Sequence, residues 1–163
     1  MGNAVANQSG ITIHDLELGL ERALKEITTT MFNCDSQIMP PEPVNVVTPG
    51  ISAIVGFGGK ISGFIAIHLS PESACTLAES LLGMAFDHLD EIVADAMGEL
   101  VNMLAGGLKK FASHSEDLFK ISVPSIVYGT DYSTHAPKNA ERLFVGVQAG
   151  SCFFTVQLVF ASR

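Results

Sequence analysis

Three observations predict an α+β fold in which helices pack on one face of an antiparallel or mixed sheet. Apolar residues recur at helical spacing near the start and the middle of the chain, and two pairs of alternating apolar runs flank glycine-centred turns. The elements also follow the order helix, two strands, two helices, three strands, whose hairpins favour antiparallel pairing with the helices segregated to one side. At 163 residues the chain has the length of one domain with its own core. It reads as a flexible, polar tail over residues 1–10 and a single domain over residues 11–163.

The first element is an amphipathic helix within Thr12 to Asn33, where Ile13, Leu16, Leu20, Leu24 and Ile27 keep helical spacing between acids and bases. Met39 to Pro43 holds three prolines in five residues, which stop the helix and force an extended path. Val44 to Phe57 and Lys60 to Leu69 then read as two strands around Gly58-Gly59. Ile61, Gly63, Ile65, Ile67 and Leu69 alternate with Ser62, Phe64, Ala66 and His68. In Ser70-Pro71-Glu72 a capping Ser, a Pro at the first helical position and an acid behind it start a short helix that runs to about Gly83. The longest helix follows from about His88 to Ala112, a rod of roughly 37 Å. Leu118 to Tyr128 reads as a strand broken by Pro124, and Leu143 to Ala149 with Cys152 to Ala161 as a second hairpin across Gly150-Ser151. No sequence repeat is visible.

Composition removes several classes of function. Apolar residues make up 47% and charged residues 16%, outside the range of intrinsic disorder. A formal charge of -8 argues against a general attraction to nucleic acid or anionic lipid. Cys34, Cys75 and Cys152 are too few and too dispersed for a CxxC site or a disulfide framework, and they fit a reducing compartment. The first ten residues lack the basic and apolar regions of a signal peptide, and the Ile51 to Leu69 stretch is broken by Gly58, Gly59 and Lys60, so a cytoplasmic location is expected.

The long helix carries the informative residues. Val93, Met97, Leu100, Leu104, Leu108 and Phe111 share an arc of about 80 degrees that should face the core. The opposite arc holds Glu91, Asp95, Glu99, Asn102 and Lys109, with Gly98 and Gly106 beside them and Ile92 and Met103 at its edge. Acids, an amide and a lysine are ordinary on a solvated helix face. Two glycines are not, since each costs about 0.8 to 1.0 kcal/mol relative to alanine and leaves room for a partner's backbone to come close.

The order of these residues narrows the reading. Asp95-x-x-x-Glu99-x-x-Asn102 is followed, after twenty-one residues, by Pro124. This pattern resembles the signature of the CheC, CheX and FliY family of chemotaxis phosphatases. At about 5% usage per residue type, a chance match in a chain of this length is about one in a thousand. The first helix ending in Glu26-Ile27-Thr28-Thr29-Thr30-Met31-Phe32 and the strand Ile121-Ser122-Val123-Pro124-Ser125-Ile126-Val127-Tyr128-Gly129 are similar to the family's corresponding elements. CheC-type members carry the Glu-x-x-Asn element on two helices, whereas here Asp15, Gly19 and Arg22 stand at the first helix's positions. The resemblance therefore implies a CheC-like fold, a CheX-like protein with one site, and a homodimer.

It also implies hydrolysis of the aspartyl phosphate on a CheY-type response regulator, which would supply the phosphorylated site and its Mg²⁺ while this chain brings no cofactor of its own. An acyl phosphate is labile, so placing a water in line with the phosphorus is the main task left. Asn102 suits it, because a carboxamide accepts from a water and donates to a phosphoryl oxygen without changing protonation. Glu99, one turn earlier, would meet the regulator's active-site lysine. Asp95 would sit at the rim and steer docking, with Gly98, Met103 and Gly106 completing the contact surface. Pro124 marks the motif and shapes the strand beside the helix.

Other candidates carry less. His14, His68, His88, His114 and His135 have no metal-ligand spacing, and His68, on an apolar strand, reads as a satisfied core or edge residue. Gly56-x-Gly58-Gly59 opens no helix and reads as a turn rather than a phosphate cradle. The alternative to an enzyme is a non-catalytic module that binds a receiver domain or a flagellar switch partner through the same helix.

Overall fold

The computed structural model describes residues 10–39, 50–112, 119–129, 132 and 137–162. Residues 1–9 of the expected tail, most of the proline-rich segment and the first six residues of the Val44 to Phe57 run lie outside them. Helix α1 spans Ile13–Met31 and opens with a capping box. The Asp15 amide donates to Thr12 Oγ1 (3.2 Å), and the Thr12 amide donates to Asp15 Oδ2 (2.8 Å). Helix α2 spans Pro71–Leu82, capped by Ser70 and ended by Gly83 at φ +71°, a left-handed conformation that glycine adopts without strain. Helix α3 spans Glu91–Ala112. It starts three residues later than the sequence suggests because Asp90 is the cap: its Oδ1 accepts the Val93 amide at 2.8 Å and its carbonyl accepts the Ala94 amide.

Seven strands form one sheet: β1 (Ser36–Met39), β2 (Gly50–Gly59), β3 (Ile61–Leu69), β4 (Phe119–Ile121), β5 (Ser125–Gly129), β6 (Glu141–Ala149) and β7 (Cys152–Ser162). All pairings are antiparallel, in the order β1-β6-β7-β3-β2-β4, and β5 follows β4 along the same edge of β2. The fold is α+β. Both hairpins form, the second turning on Gly150 at φ +59°; the first turns at Lys60 instead of Gly58-Gly59, because those two glycines extend β2 and pair with Lys120 and Phe119 of β4. The broken strand resolves into β4 and β5, which pair with Phe57–Gly59 and Gly50–Ile54 of β2 on either side of residues 122–124. Strand β1 has no counterpart in the sequence reading.

The topology repeats although the sequence does not. One half runs α1, β1, β2, β3 and the other α3, β4 with β5, β6, β7. In each half the first strand crosses to the other, β1 pairing with β6 and β4 and β5 with β2, while β3 and β7 pair at the centre.

The core lies between the helices and the sheet face lined by Ile51, Ala53, Val55, Ile65, Ile67, Phe154, Val156 and Leu158. Helix α3 is its axis. Val93, Met97, Leu100, Leu104 and Leu108 are buried as the spacing predicts, and Phe111 is half-buried at the margin. Val101, Ala105 and Ala112 are buried too, because α3 packs on α1 as well as on the sheet. That crossing is tight: a β-carbon on Gly19 would lie 2.8 Å from Ala112 Cβ, and one on Gly107 2.7 Å from Ala23 Cβ. Leu16, Leu20, Leu24 and Ile27 of α1 are buried, whereas Ile13 is exposed at the helix start.

On the other face of the sheet His68 is buried and hydrogen-bonded at both ring nitrogens. Its Nε2–H donates to Gln157 Oε1 (2.8 Å) and its Nδ1 accepts from Ser52 Oγ (2.6 Å), which in turn accepts from the Tyr132 hydroxyl (2.8 Å). The chain of donors closes with a neutral imidazole, and burial pushes the His68 pKa down. His68 is thus the satisfied core residue that its strand position suggests.

Candidate functional site

Asp95, Glu99, Asn102, Gly106 and Lys109 are spaced four, three, four and three residues apart on α3. At 100 degrees per residue they fall on a stripe about 80 degrees wide that runs along the helix. Asp95 and Glu99 are exposed, and Asn102, Gly106 and Lys109 are half-buried. Among the described residues none of the four side chains on this stripe has a hydrogen bond or an ion pair. Their polar atoms are available to something outside the chain.

The glycines divide into two kinds. A β-carbon on Gly106 would meet nothing within 4 Å, so the backbone there is open. Gly98, expected to open onto a partner, is instead buried, and a β-carbon on it would lie 3.3 Å from Ile126 Cδ1 and 3.5 Å from Pro124 Cγ. The close approach that this glycine permits is made by the chain's own strand β5. Met103, expected at the contact margin, is half-buried and packs against the core.

Pro124 stands in the link between β4 and β5, beside α3. The link is pinned to β2: the Ser122 amide donates to the Gly56 carbonyl (2.8 Å), the Gly56 amide donates to Ser122 Oγ (3.0 Å), and that hydroxyl donates to the Val123 carbonyl (2.9 Å). Val123, between these anchors, is 82% exposed, and Ile92 on α3 is 49% exposed. Val123 was not singled out in the sequence, where it looks like one more apolar strand residue; only the pinned link makes its exposure visible.

Helix α1, the counterpart of α3 in the topological repeat, carries no such stripe. Asp15 is engaged in the α1 cap, Gly19 is covered by Ala112, and only Arg22 is exposed. Among the described residues no group of three His, Cys, Asp or Glu side chains converges to hold a metal ion. Cys34, Cys75 and Cys152 are free thiols, and burial pushes the latter two up in pKa, away from the reactive thiolate. No helix among the described residues is long and apolar enough to cross a membrane.

The family model for the chemotaxis phosphatase CheX matches residues 51–148, a stretch that includes the whole of α3 and Pro124. This chain belongs to the CheX family. The CheY-P phosphatase CheX of Thermotoga maritima is 34% identical over 79 residues, 48% of this chain and 51% of that protein, so the match spans about half the length of each. Among solved structures, a CheC-like superfamily protein from Shewanella sp. PV-4 aligns with a TM-score of 0.80 at 21% identity, covering 91% of this chain and 98% of that one. CheX from Vibrio vulnificus aligns at 0.78 and 19% identity, covering 90% and 99%. The CheX-CheY-BeF3-Mg complex of Borrelia burgdorferi aligns at 0.72 and 21% identity, covering 92% and 97%. These likenesses establish the CheX fold for this chain.

Proposed function

We propose that this CheX-family chain is a phosphatase that hydrolyses the aspartyl phosphate of a CheY-type response regulator, with Glu99 and Asn102 as its catalytic pair. The observation that carries the reading is that both side chains lie one turn apart on the same face of α3, with no partner among the described residues. The name of the Thermotoga maritima relative and the CheX-CheY complex from Borrelia burgdorferi support the choice of substrate.

In this mechanism α3 enters the cleft over the phosphorylated aspartate. The Asn102 amide accepts a hydrogen bond from a water and donates one to a phosphoryl oxygen, holding the water in line with the phosphorus. Glu99 pairs with the regulator's active-site lysine, and the charge-assisted contact fixes register. Asp95, a turn farther out and exposed, steers approach. Ile92 and Val123 give the polar stripe an apolar margin. Mg²⁺, held by the regulator, neutralises charge on the phosphoryl oxygens.

The decay of a labelled aspartyl phosphate on a CheY-type regulator tests this. Wild type accelerates the decay, and Glu99→Ala and Asn102→Ala each lose about 2 to 4 kcal/mol of transition-state stabilisation, returning the rate toward the spontaneous one. Binding without acceleration would instead identify an interaction module. We further infer a homodimer acting in the cytoplasm. Among the described residues the sheet ends at β1 on one side and along β4 and β5 on the other, edges of the kind that subunits cover in one another, and the free thiols fit a reducing compartment. A monomeric mass in solution at micromolar concentration would remove the dimer.

A further inference from the structure

Lys109 has no part in the proposed chemistry, although it closes the stripe that begins at Asp95. The last turn of α3 holds two lysines, Lys109 and Lys110. Lys110 is used within the chain: its Nζ donates to Glu26 Oε1 at 3.2 Å and sits 4.7 Å from the centre of the Phe111 ring. Lys109, half-buried on the stripe, has no hydrogen bond or ion pair among the described residues. Lys110 is a second cation in the same last turn, so a favourable charge at the helix C-terminus does not depend on Lys109.

The stripe is also polar in direction. Asp95 and Glu99 are anions at one end, Asn102 and the open backbone of Gly106 lie in the middle, and Lys109 is a cation at the other end. Helical side chains lean toward the N-terminus, which places a group in position 109 over the preceding turn, where Gly106 offers no side chain to block an incoming one. The chain as a whole carries a net charge of -8, so a lysine unpaired among the described residues, within the proposed contact stripe, runs against the general surface.

We propose that Lys109 is a positioning residue for the regulator, pairing with a carboxylate on the receiver domain while Glu99 pairs with the lysine. The inference rests on the receiver-docking reading above. Opposite charges at the two ends of one helix face admit the receiver in a single direction: turned end for end, it would set carboxylate against Glu99 and lysine against Lys109. The two Cα positions are about 15 Å apart along the helix, which fixes the separation the receiver must match.

Titration of a CheY-type receiver, loaded with beryllofluoride and Mg²⁺, against wild type, Lys109→Glu and Lys109→Arg tests this without relying on turnover. Lys109→Glu should raise Kd by about tenfold or more and flatten its salt dependence, and Lys109→Arg should stay within about twofold of wild type. An unchanged thermal midpoint for Lys109→Glu assigns the loss to docking. If wild type binds and Lys109→Glu binds equally well, this inference alone is overturned. If wild type does not bind the loaded receiver, the receiver reading falls and the role of Lys109 with it.

Discussion

Pro124 lies against Gly98: a β-carbon placed on that glycine would come within 3.5 Å of the proline Cγ. Two residues 26 positions apart, one inside the Asp-Glu-Asn segment and one after it, are therefore in contact across the helix and strand layers. The proline braces the helix that holds Glu99 and Asn102, and it does so from a link tied to β2 through Ser122.

Size at position 98 should matter accordingly. Gly98→Ala places a methyl 3.3 Å from the flexible end of Ile126, where a small rotation relieves it, and the gain in helix propensity offsets the strain. Gly98→Leu must displace Pro124, and overpacking of this kind costs about 1 to 3 kcal/mol. Urea denaturation of the two variants should show the first near wild type and the second clearly destabilised; equal midpoints would contradict the contact.

The α1–α3 crossing is less forgiving. A β-carbon on Gly19 meets Ala112 backbone atoms at 2.9 Å as well as its Cβ, so the helices themselves must part. Gly19→Ala should destabilise by about 1 to 3 kcal/mol despite alanine's better helix propensity. Gly107→Ala should behave similarly, and Ala23→Gly in the same chain should recover part of the loss by clearing the methyl it strikes. The same contact keeps position 19 closed: a longer side chain there would run into Ala112 instead of reaching solvent.

Acid should weaken the protein through His68. Its pKa is held below the ordinary value by burial, against the opposing bond to Gln157, so the folded chain keeps it neutral while the unfolded chain lets it charge. Stability from this group is complete above about pH 6.5 and is lost as pH falls from there toward the folded pKa, because the unfolded state then binds the extra proton. One such proton gives a slope of at most about 1.4 kcal/mol per pH unit. Chemical denaturation of wild type and His68→Asn across about pH 7.5 to 5 checks it, since the variant should lack this part of the slope.

Asp95 is exposed, unpaired among the described residues and one turn outside the proposed catalytic pair. Asp95→Ala should raise KM for the phosphorylated regulator by about threefold or less and leave kcat unaltered, as expected for a steering charge in water. A fall in kcat comparable to that of Asn102→Ala would move Asp95 into the chemistry.

Much of this architecture is legible in the sequence because its signals are strong: the Ser70-Pro71 start and Gly83 stop of α2, the alternation in β3, and the arc of Val93, Met97, Leu100, Leu104 and Leu108. Strand β1 escapes because Ser36–Met39 is short, largely exposed and on an edge, so its conformation is set by β6 rather than by its own pattern. Gly98 is misplaced for a related reason. Periodicity shows which arc of a helix is apolar, but not that a distant proline will cover a glycine on the opposite arc. The buried small residues Gly19, Ala23, Gly107 and Ala112 could have been noticed as a close-packing signal, yet nothing local pairs one helix with the other.

The exchange of first strands between the halves has a further consequence. Neither half has a complete sheet by itself, so the chain resembles two interlocked protomers joined covalently, and separating them at the α2–α3 junction should leave two fragments that fold only when mixed. Such a frame separates holding from acting. The half that begins with α1 gives its helix to packing, with Gly19 against Ala112, while supplying through β1 the strand that pairs with β6 of the half that carries α3.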